Sequence, residues 1–201
     1  MARGANPARP ARPPRGPLPR EVRIIGGQWK RTKLPVADKP GLRPTPDRVR
    51  ETLFNWLDHD LAGWRCVDAF AGTGALGFEA ASRGAAEVLM VEQDPELVAQ
   101  LRTVQKRLDA QSVKVERGNG LSVLTRLAPG SVDLVFLDPP FDAAIFDKAL
   151  AAAATLLAPG DLAYLESPTA WGEPALAGHG FALLRHLRAG AVHAHLLQRT
   201  A

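Results

Sequence analysis

Residues Arg65 to Gly77, RCVDAFAGTGALG, run from a short apolar stretch through a glycine-rich turn into alanine and leucine, the order of a strand, a tight loop and the start of a helix. Gly72, Gly74 and Gly77 stand at the spacing of a nucleotide-binding turn, with Ala75 to Ser82 helical behind them. Outward from there the chain alternates. Glu87 to Val91 reads as a second strand and Pro95 to Leu108 as a helix. Val113 to Arg117 is a third strand, Leu121 to Leu127 a short helix, and Val132 to Leu137 a fourth strand. Alanine-rich Ala143 to Leu157 is helical, and Asp161 to Glu166, Phe181 to Leu187 and Ala191 to Gln198 supply three more strands. This alternation predicts an α/β protein, a mostly parallel sheet with helices on both faces. The last two strands, separated by Arg188-Ala189-Gly190, are expected to form an antiparallel hairpin at one edge.

Before this body lies a basic stretch. Met1 to Arg20 holds Arg3, Arg9, Arg12, Arg15 and Arg20 and no acid. With so little apolar material to offset the entropy of ordering, it is expected to be a disordered arm that touches RNA phosphates without specificity. Residues 21–59 are expected to form an RNA-binding extension, and residues 60–201 the alternating domain. Glu21 to Val36, EVRIIGGQWKRTKLPV, reads as two short strands around Gly26-Gly27. Arg23, Trp29, Lys30, Arg31 and Lys33 give it a basic, aromatic-bearing surface, although Trp29 equally suits the hairpin's own core. Gly41 to Leu57, GLRPTPDRVRETLFNWL, opens a helix with Thr45 as N-cap, Pro46 at the first helical position and Asp47 in the first turn. Val49, Leu53, Trp56 and Leu57 make its apolar face, and Arg48, Glu51, Thr52 and Asn55 a polar stripe. Arg43 and Arg48 lie nearest the expected mouth of the site.

Charge is segregated along the chain. Met1 to His59 carries 13 Lys/Arg against 5 Asp/Glu, and the remainder 12 against 16. A mildly acidic body behind a basic N-terminal part predicts a polyanionic partner, most simply nucleic acid. A solubilising tail is the plainer alternative. No apolar run approaches the ~20 residues of a membrane span, and the basic N-terminus lacks the apolar core of a signal peptide. The single cysteine, Cys66, can form no intrachain disulfide, so the cytoplasm is the expected compartment. His193 and His195 share one face of the final strand but lack the partners of a zinc site, so no metal is expected.

The fourth strand ends abruptly in VDLVFLDPPF, residues 132–141. Val132, Leu134, Val135, Phe136 and Leu137 suit a strand buried on both faces. Asp138 then stands at its carboxyl end, the edge where open α/β sheets bind ligands. Pro139 and Pro140 have no N–H and a fixed φ, so the turn is stiff and can aim carbonyl oxygens outward. An amino group conjugated to a ring is a poor nucleophile because its lone pair is delocalised. If the Asp138 carboxylate and the Pro139 carbonyl each accept one N–H, the nitrogen is held and its lone pair can turn towards an electrophile. Phe141 offers a flat face for the base, stacking worth ~1–3 kcal/mol. The bland alternative is a strand closed by a proline turn with an acid for solubility.

The glycine spacing, with Glu92 at the end of the second strand where an acid can hold ribose hydroxyls, equally suits a nicotinamide dehydrogenase. Three features favour S-adenosylmethionine instead. Asp68 precedes the glycines, where its charge opposes a pyrophosphate and attracts an ammonium group. Asn119-Gly120 follows the third strand, where an amide can bond adenine's edge while glycine leaves room for the ring. Asp-Pro-Pro-Phe closes the fourth strand, bringing an amino holder beside a methyl donor.

Taken together, RIIGGQWKRTKLPV, GLRPTPDRVRETLFNWL, DAFAGTGALGFEAASRGA, VEQD and LDPPF closely resemble the bacterial methyltransferases that modify the exocyclic N2 of a guanine in 16S ribosomal RNA. The similarity runs from about Arg23 to Arg199, and LRPTPDRVRETLFN is far more specific than the motifs methyltransferases share at large. The resemblance implies a Rossmann-like class I methyltransferase fold, with a seven-stranded, mostly parallel sheet, an antiparallel edge hairpin and a small N-terminal hairpin and helix. It implies S-adenosylmethionine as donor and guanine 966 of 16S rRNA as target; a small-subunit assembly particle is the expected partner, with naked rRNA the alternative substrate, and a monomer is expected. Carried over by position, Asp68, Phe70, Gly72, Gly74, Glu92 and Asn119 resemble the cofactor shell, which Ala69, Thr73, Gln93, Gly120 and Asp138 complete. Asp138, Pro139, Pro140 and Phe141 resemble the catalytic turn.

Competing functions differ in what they need. An adenine-N6 methyltransferase would use the same turn, and a non-catalytic RNA-binding assembly factor would keep the cofactor fold. Cytosine C5 methylation needs a cysteine nucleophile, whereas Cys66 falls inside the first strand.

Overall fold

The structure, a computed structural model, describes residues 20–39, 42, 44–140 and 143–200, the side chains of 143 and 144 excepted. The arm expected over residues 1–20 lies outside them save for Arg20, and so do Arg43 and Phe141.

Two antiparallel strands, β1 (Glu21–Arg23) and β2 (Lys33–Pro35), and helix α1 (Asp47–Trp56) come first. The main body then alternates: β3 (Arg65–Asp68), α2 (Ala75–Ser82), β4 (Glu87–Glu92), α3 (Pro95–Arg107), β5 (Val113–Arg117), α4 (Gly120–Arg126), β6 (Val132–Leu137) and α5 (Ala143–Leu156). It closes with β7 (Leu157–Ser167), α6 (Glu173–Gly178), β8 (Phe181–Ala189) and β9 (Val192–Arg199). The seven strands from β3 onward lie in the order β5-β4-β3-β6-β7-β9-β8. All pairings are parallel as far as β7, and β9 runs antiparallel to both β7 and β8. The expected α/β class, seven-stranded sheet and antiparallel edge hairpin are all present. Strand order reverses between β3 and β6, and the carboxyl edge at such a switch point is where a ligand fits.

Both sheet faces are covered, which is why β6 is continuously apolar: Val132, Leu134, Val135, Phe136 and Leu137 are at most 4% exposed. On one face Cys66, Leu134, Phe136, Tyr164 and Leu196 pack with Val49, Leu53 and Phe54 of α1 and Phe78 of α2. On the other, Val67, Val135, Leu137, Ala163 and Leu165 pack with Leu124 of α4 and Leu150 and Ala153 of α5. Phe54, Phe136 and Tyr164 form a chain of rings with centroids 6.2 and 6.3 Å apart. Helix α1 therefore shares the core of the main sheet.

Four expectations need correction. The N-terminal strands do not turn at Gly26-Gly27: pairing continues through Ile24 and Thr32, and the turn falls at residues 27–30, with Lys30 N–H on the Gly27 carbonyl. The glycines instead pack against α2, where a Cβ on Gly27 would lie 1.8 Å from the Ser82 carbonyl oxygen. Thr45 does not cap α1. The cap position is Pro46, which has no side-chain bond to offer, and Thr45 is buried. Strand β7 starts four residues early, directly after α5, and a register shift between Val132 and Leu134 absorbs the extra length. Helix α6, too short to show a period, was not expected. His195 is buried, accepting the Trp171 N–H at 3.1 Å, and half-buried His193 lies 2.9 Å from His186.

Candidate active site

The glycine turn after β3 is built by backbone strain and close contact. Gly72 and Gly74 have φ of +51° and +79°, which side chains rarely adopt. A Cβ on Gly74 would come within 2.8 Å of Leu101, Met90 and Phe78, so only glycine lets α2 start this close to β4 and α3. Two acids hold the turn. Asp68, 2% exposed, accepts the Gly77 N–H at 3.0 Å through Oδ2. Burial and, less, the charge of Glu92 raise its carboxyl, the Gly77 and Phe70 N–H groups oppose the rise, and the net value is about 7. Asp68 thus braces the loop from beneath, with Ala69 and Thr73 buried beside it. Glu92, half-buried at the end of β4, accepts the Gly72 N–H through Oε2 and the Asp94 N–H through Oε1, both at 2.9 Å. Each of its oxygens keeps a lone pair for a diol hydroxyl, and exposed Gln93 follows it.

Asn119 caps α4, its Oδ1 accepting the Ser122 N–H at 3.1 Å, so its amide nitrogen is the group presented to a ligand. Gly120 is required for a different reason from the one expected. A Cβ there would lie 2.1 Å from the Ala69 carbonyl oxygen, so the space it leaves is filled by β3 rather than by a ring. Phe70 is half-buried between these elements. This set suits a nucleoside: a carboxylate for ribose, an amide for a base edge, and a loop open to close backbone approach.

Asp138 and Pro139 end β6, next to β3. Asp68 pairs with Phe136 across the ladder, so Asp138 stands one step beyond the glycine turn's root. It is half-buried, Pro139 is buried and Pro140 exposed. Burial, then the neighbouring carboxylates Glu166 and Asp68, hold the Asp138 carboxyl well above its ordinary range. On the far side Glu166 ends β7, 3% exposed, accepting the Tyr164 hydroxyl at 2.7 Å. The glycine turn, the Asp138-Pro139 turn and Glu166 therefore share one stretch of the sheet's carboxyl edge. Cys66 lies beneath it, buried, and burial pushes its thiol up to about 12, which removes it as a nucleophile. Among the described residues no group of three or more His, Cys, Asp or Glu is placed to hold a metal, and no helix is long and apolar enough to cross a membrane.

The N-terminal segment roofs this edge. Lys39 bridges Asp94 and Glu96 at 2.7 Å each, and Leu42 lies over Gly72, 3.2 Å from where a Cβ would be. Arg50 is wholly buried, bonded to Asp47 at 2.6 Å, to the Thr45 carbonyl at 3.2 Å and to Glu79 at 3.5 Å. Glu79 also accepts the Ile25 and Gly26 N–H groups and pairs with Arg83. The expected RNA-facing residues Arg23, Lys30, Arg31, Lys33 and Arg48 are exposed, Lys33 in an ion pair with Glu21. Trp29 is half-buried against the core, which favours its structural role. Sequence reasoning passed over Thr45, Arg50, Glu79, Tyr164 and Glu166. The available signal was a lone acid, Glu79, in the otherwise apolar helix ALGFEAAS, since a buried charge needs a partner.

The protein-family model described as "Conserved hypothetical protein 95" matches residues 22–198. Ribosomal RNA small subunit methyltransferase D of Escherichia coli K12 is 42% identical over 183 residues, covering 90% of this chain and 91% of that protein. The protein of the same name from Haemophilus influenzae is 40% identical, covering 89% and 94%. The solved structure of Escherichia coli yhhF superposes with a TM-score of 0.78 at 42% identity, over 90% of this chain and 99% of that one. On this extent and identity of match, added to a class I methyltransferase sheet, the chain belongs to the ribosomal RNA small subunit methyltransferase D family.

Proposed function

We propose that the protein transfers a methyl group from S-adenosylmethionine to the exocyclic N2 of a guanine in 16S rRNA, guanine 966 by resemblance, in a small-subunit assembly particle. The observation that carries this is the placement of the Asp138-Pro139 turn one strand from the glycine loop, on the switch-point edge of the sheet. The names of the relatives support rRNA as the substrate class.

The residues present fit the donor. Glu92 would hold the ribose hydroxyls and Asn119 the adenine edge, while Ala69, Phe70, Gly72, Thr73, Gly74, Gln93 and Gly120 shape the loop over the glycine turn braced by Asp68. When bound, S-adenosylmethionine supplies a methyl carbon on a positively charged sulfur. The Asp138 carboxylate and the Pro139 carbonyl accept the two N–H bonds of the amino group and aim its lone pair. Such alignment is worth on the order of 7–11 kcal/mol of barrier. Asp138 offsets the charge that grows on nitrogen and receives its proton. Exposed Arg23, Lys30, Arg31 and Arg48 supply sequence-independent attraction for RNA phosphates.

The deciding experiment incubates the full chain with tritiated S-adenosylmethionine and small subunits from a strain lacking the enzyme, then digests the RNA to nucleosides. Label in N2-methylguanosine is expected. Label in N6-methyladenosine, or none, overturns the proposal.

A further inference from the structure

Glu166 stands beside Asp138 at this edge. Leu137 pairs with Leu165 in the parallel ladder, so Asp138 and Glu166 come next on adjacent strands. Both lie on the face that carries Phe136 and Tyr164, the face covered by α1. Burial raises the Glu166 carboxyl above its ordinary range, and the Tyr164 hydroxyl donating to it at 2.7 Å, the Thr45 side chain and the charge of the Arg50 guanidinium oppose that rise. What acts on Asp138 is burial and two carboxylates, Glu166 and Asp68. Two like charges this close do not both ionise easily, and the better-supported member keeps the charge.

We infer that Glu166 is a positioning residue for methyl transfer: bonded by Tyr164 and Thr45 and favoured by the charge of Arg50, it keeps the negative charge of a carboxyl pair and makes Asp138 the member that gives and takes the proton. This rests on the proposed reading of Asp138. Before reaction Asp138 releases its proton to solvent. As the bond from nitrogen to the methyl carbon forms, the pair of the sulfur–carbon bond stays on sulfur. The N–H bond then breaks, and its proton passes to an Asp138 oxygen. Glu166 exchanges nothing with the substrate; it sets how tightly Asp138 holds that proton. The N-terminal segment, expected to serve RNA contact, thus enters the chemistry through Thr45 and Arg50.

Other groups that face the pair are Asp68 on β3, Asp47 beside Arg50 on α1, and Glu79 and Arg83 on α2. On β8 and β9 this face carries exposed Arg185 and the apolar Leu187, Ala194 and Leu196, while His195 points to the other face.

The test is the pH–rate profile of single-turnover methylation of small subunits by the full chain. In Glu166→Gln, which keeps an acceptor for Tyr164, the acid limb is expected to move down by about one pH unit, because a like charge beside Asp138 is gone. Tyr164→Phe weakens the support of Glu166 and moves the limb the same way by less. It also serves where Glu166→Gln fails to fold by circular dichroism. A second readout is the proton released when S-adenosylmethionine binds, measured calorimetrically in two buffers, which Glu166→Gln reduces. A limb that stays in place in folded variants, or a loss of rate equal at every pH, overturns the inference. Loss of N2-methylguanosine from the wild-type digest would instead overturn the proposed function, so the two failures are distinguishable.

Discussion

Replacing Glu79 with alanine tests how the N-terminal segment is held. The side chain is wholly buried and satisfies two segments at once: the Ile25 and Gly26 N–H groups at 2.7 and 2.8 Å, Arg83 at 2.8 Å and Arg50 at 3.5 Å. Alanine leaves two backbone donors without an acceptor, each costing about 1–3 kcal/mol, and takes the counter-charge from two buried cations. Neither cation is stranded: Arg50 keeps Asp47 and the Thr45 carbonyl, and Arg83 keeps the His59 carbonyl and the face of Phe54, 4.8 Å from its centroid. The total therefore falls in the roughly 3–5 kcal/mol range for breaking a buried pair, rather than beyond it. For a chain of this length that is a fall in melting temperature of roughly 6–20 °C. Glu79→Gln keeps an acceptor for the amides and should cost about half as much. Urea titration of both variants gives the comparison, and hydrogen exchange should show the Ile25 and Gly26 amides losing protection first. A Glu79→Ala cost below about 1 kcal/mol would refute the claim that this carboxylate docks the segment.

Three further outcomes are expected. Asp138→Ala should lower turnover ~10²–10³-fold, the loss of one transition-state hydrogen bond, with S-adenosylmethionine affinity by calorimetry nearly kept; wild-type turnover would remove Asp138 from the site. Asp68 has a carboxyl raised from 3.8 to about 7, so the folded state holds a proton that the unfolded chain releases between those values. Its contribution to stability is full below about pH 4 and lost as pH rises through about 7. Asp68→Asn should therefore match wild type in urea near pH 4 and exceed it near pH 8 by a few kcal/mol at most, on the order of the full shift; no pH dependence in the difference counts against a buried, raised Asp68. Affinity for single-stranded rRNA should fall with salt at a log–log slope near −0.7 per phosphate neutralised. Arg48→Glu should flatten that slope more than deletion of residues 1–19; equal effects would mean the RNA surface lies elsewhere.

The main sheet was legible because burial on both faces leaves a local trace. Runs such as Leu134 to Leu137 have no polar alternation to confuse them, and Gly72, Gly74 and Gly77 sit where positive φ or close packing excludes other residues. Glu92 and Asn119 stand out in the sequence as strand-end polar residues, and the structure bonds the first to the Gly72 N–H and makes the second the cap of α4. What escaped were polar bonds whose partners lie far apart in the chain. Thr45 followed by Pro46 and Asp47 looks the same locally whether the threonine caps the helix or turns to Glu166, 121 residues on, and only packing decides. Helix α6 is shorter than two turns and shows no period.

Arg50 shows why charge counting alone misplaced a residue. It was one of the 13 cations that marked the N-terminal part as a polyanion surface, yet it is wholly buried and faces acids of the protein itself. The segment thus carries two populations of positive charge. Exposed Arg23, Lys30, Arg31 and Arg48 remain free to meet phosphates. Arg50 pairs with Asp47 and Glu79, and its charge partly offsets the burial that raises the Glu166 carboxyl. A helix that packs on Phe136 while its buried cation steadies Glu166 cannot shift without disturbing Asp138.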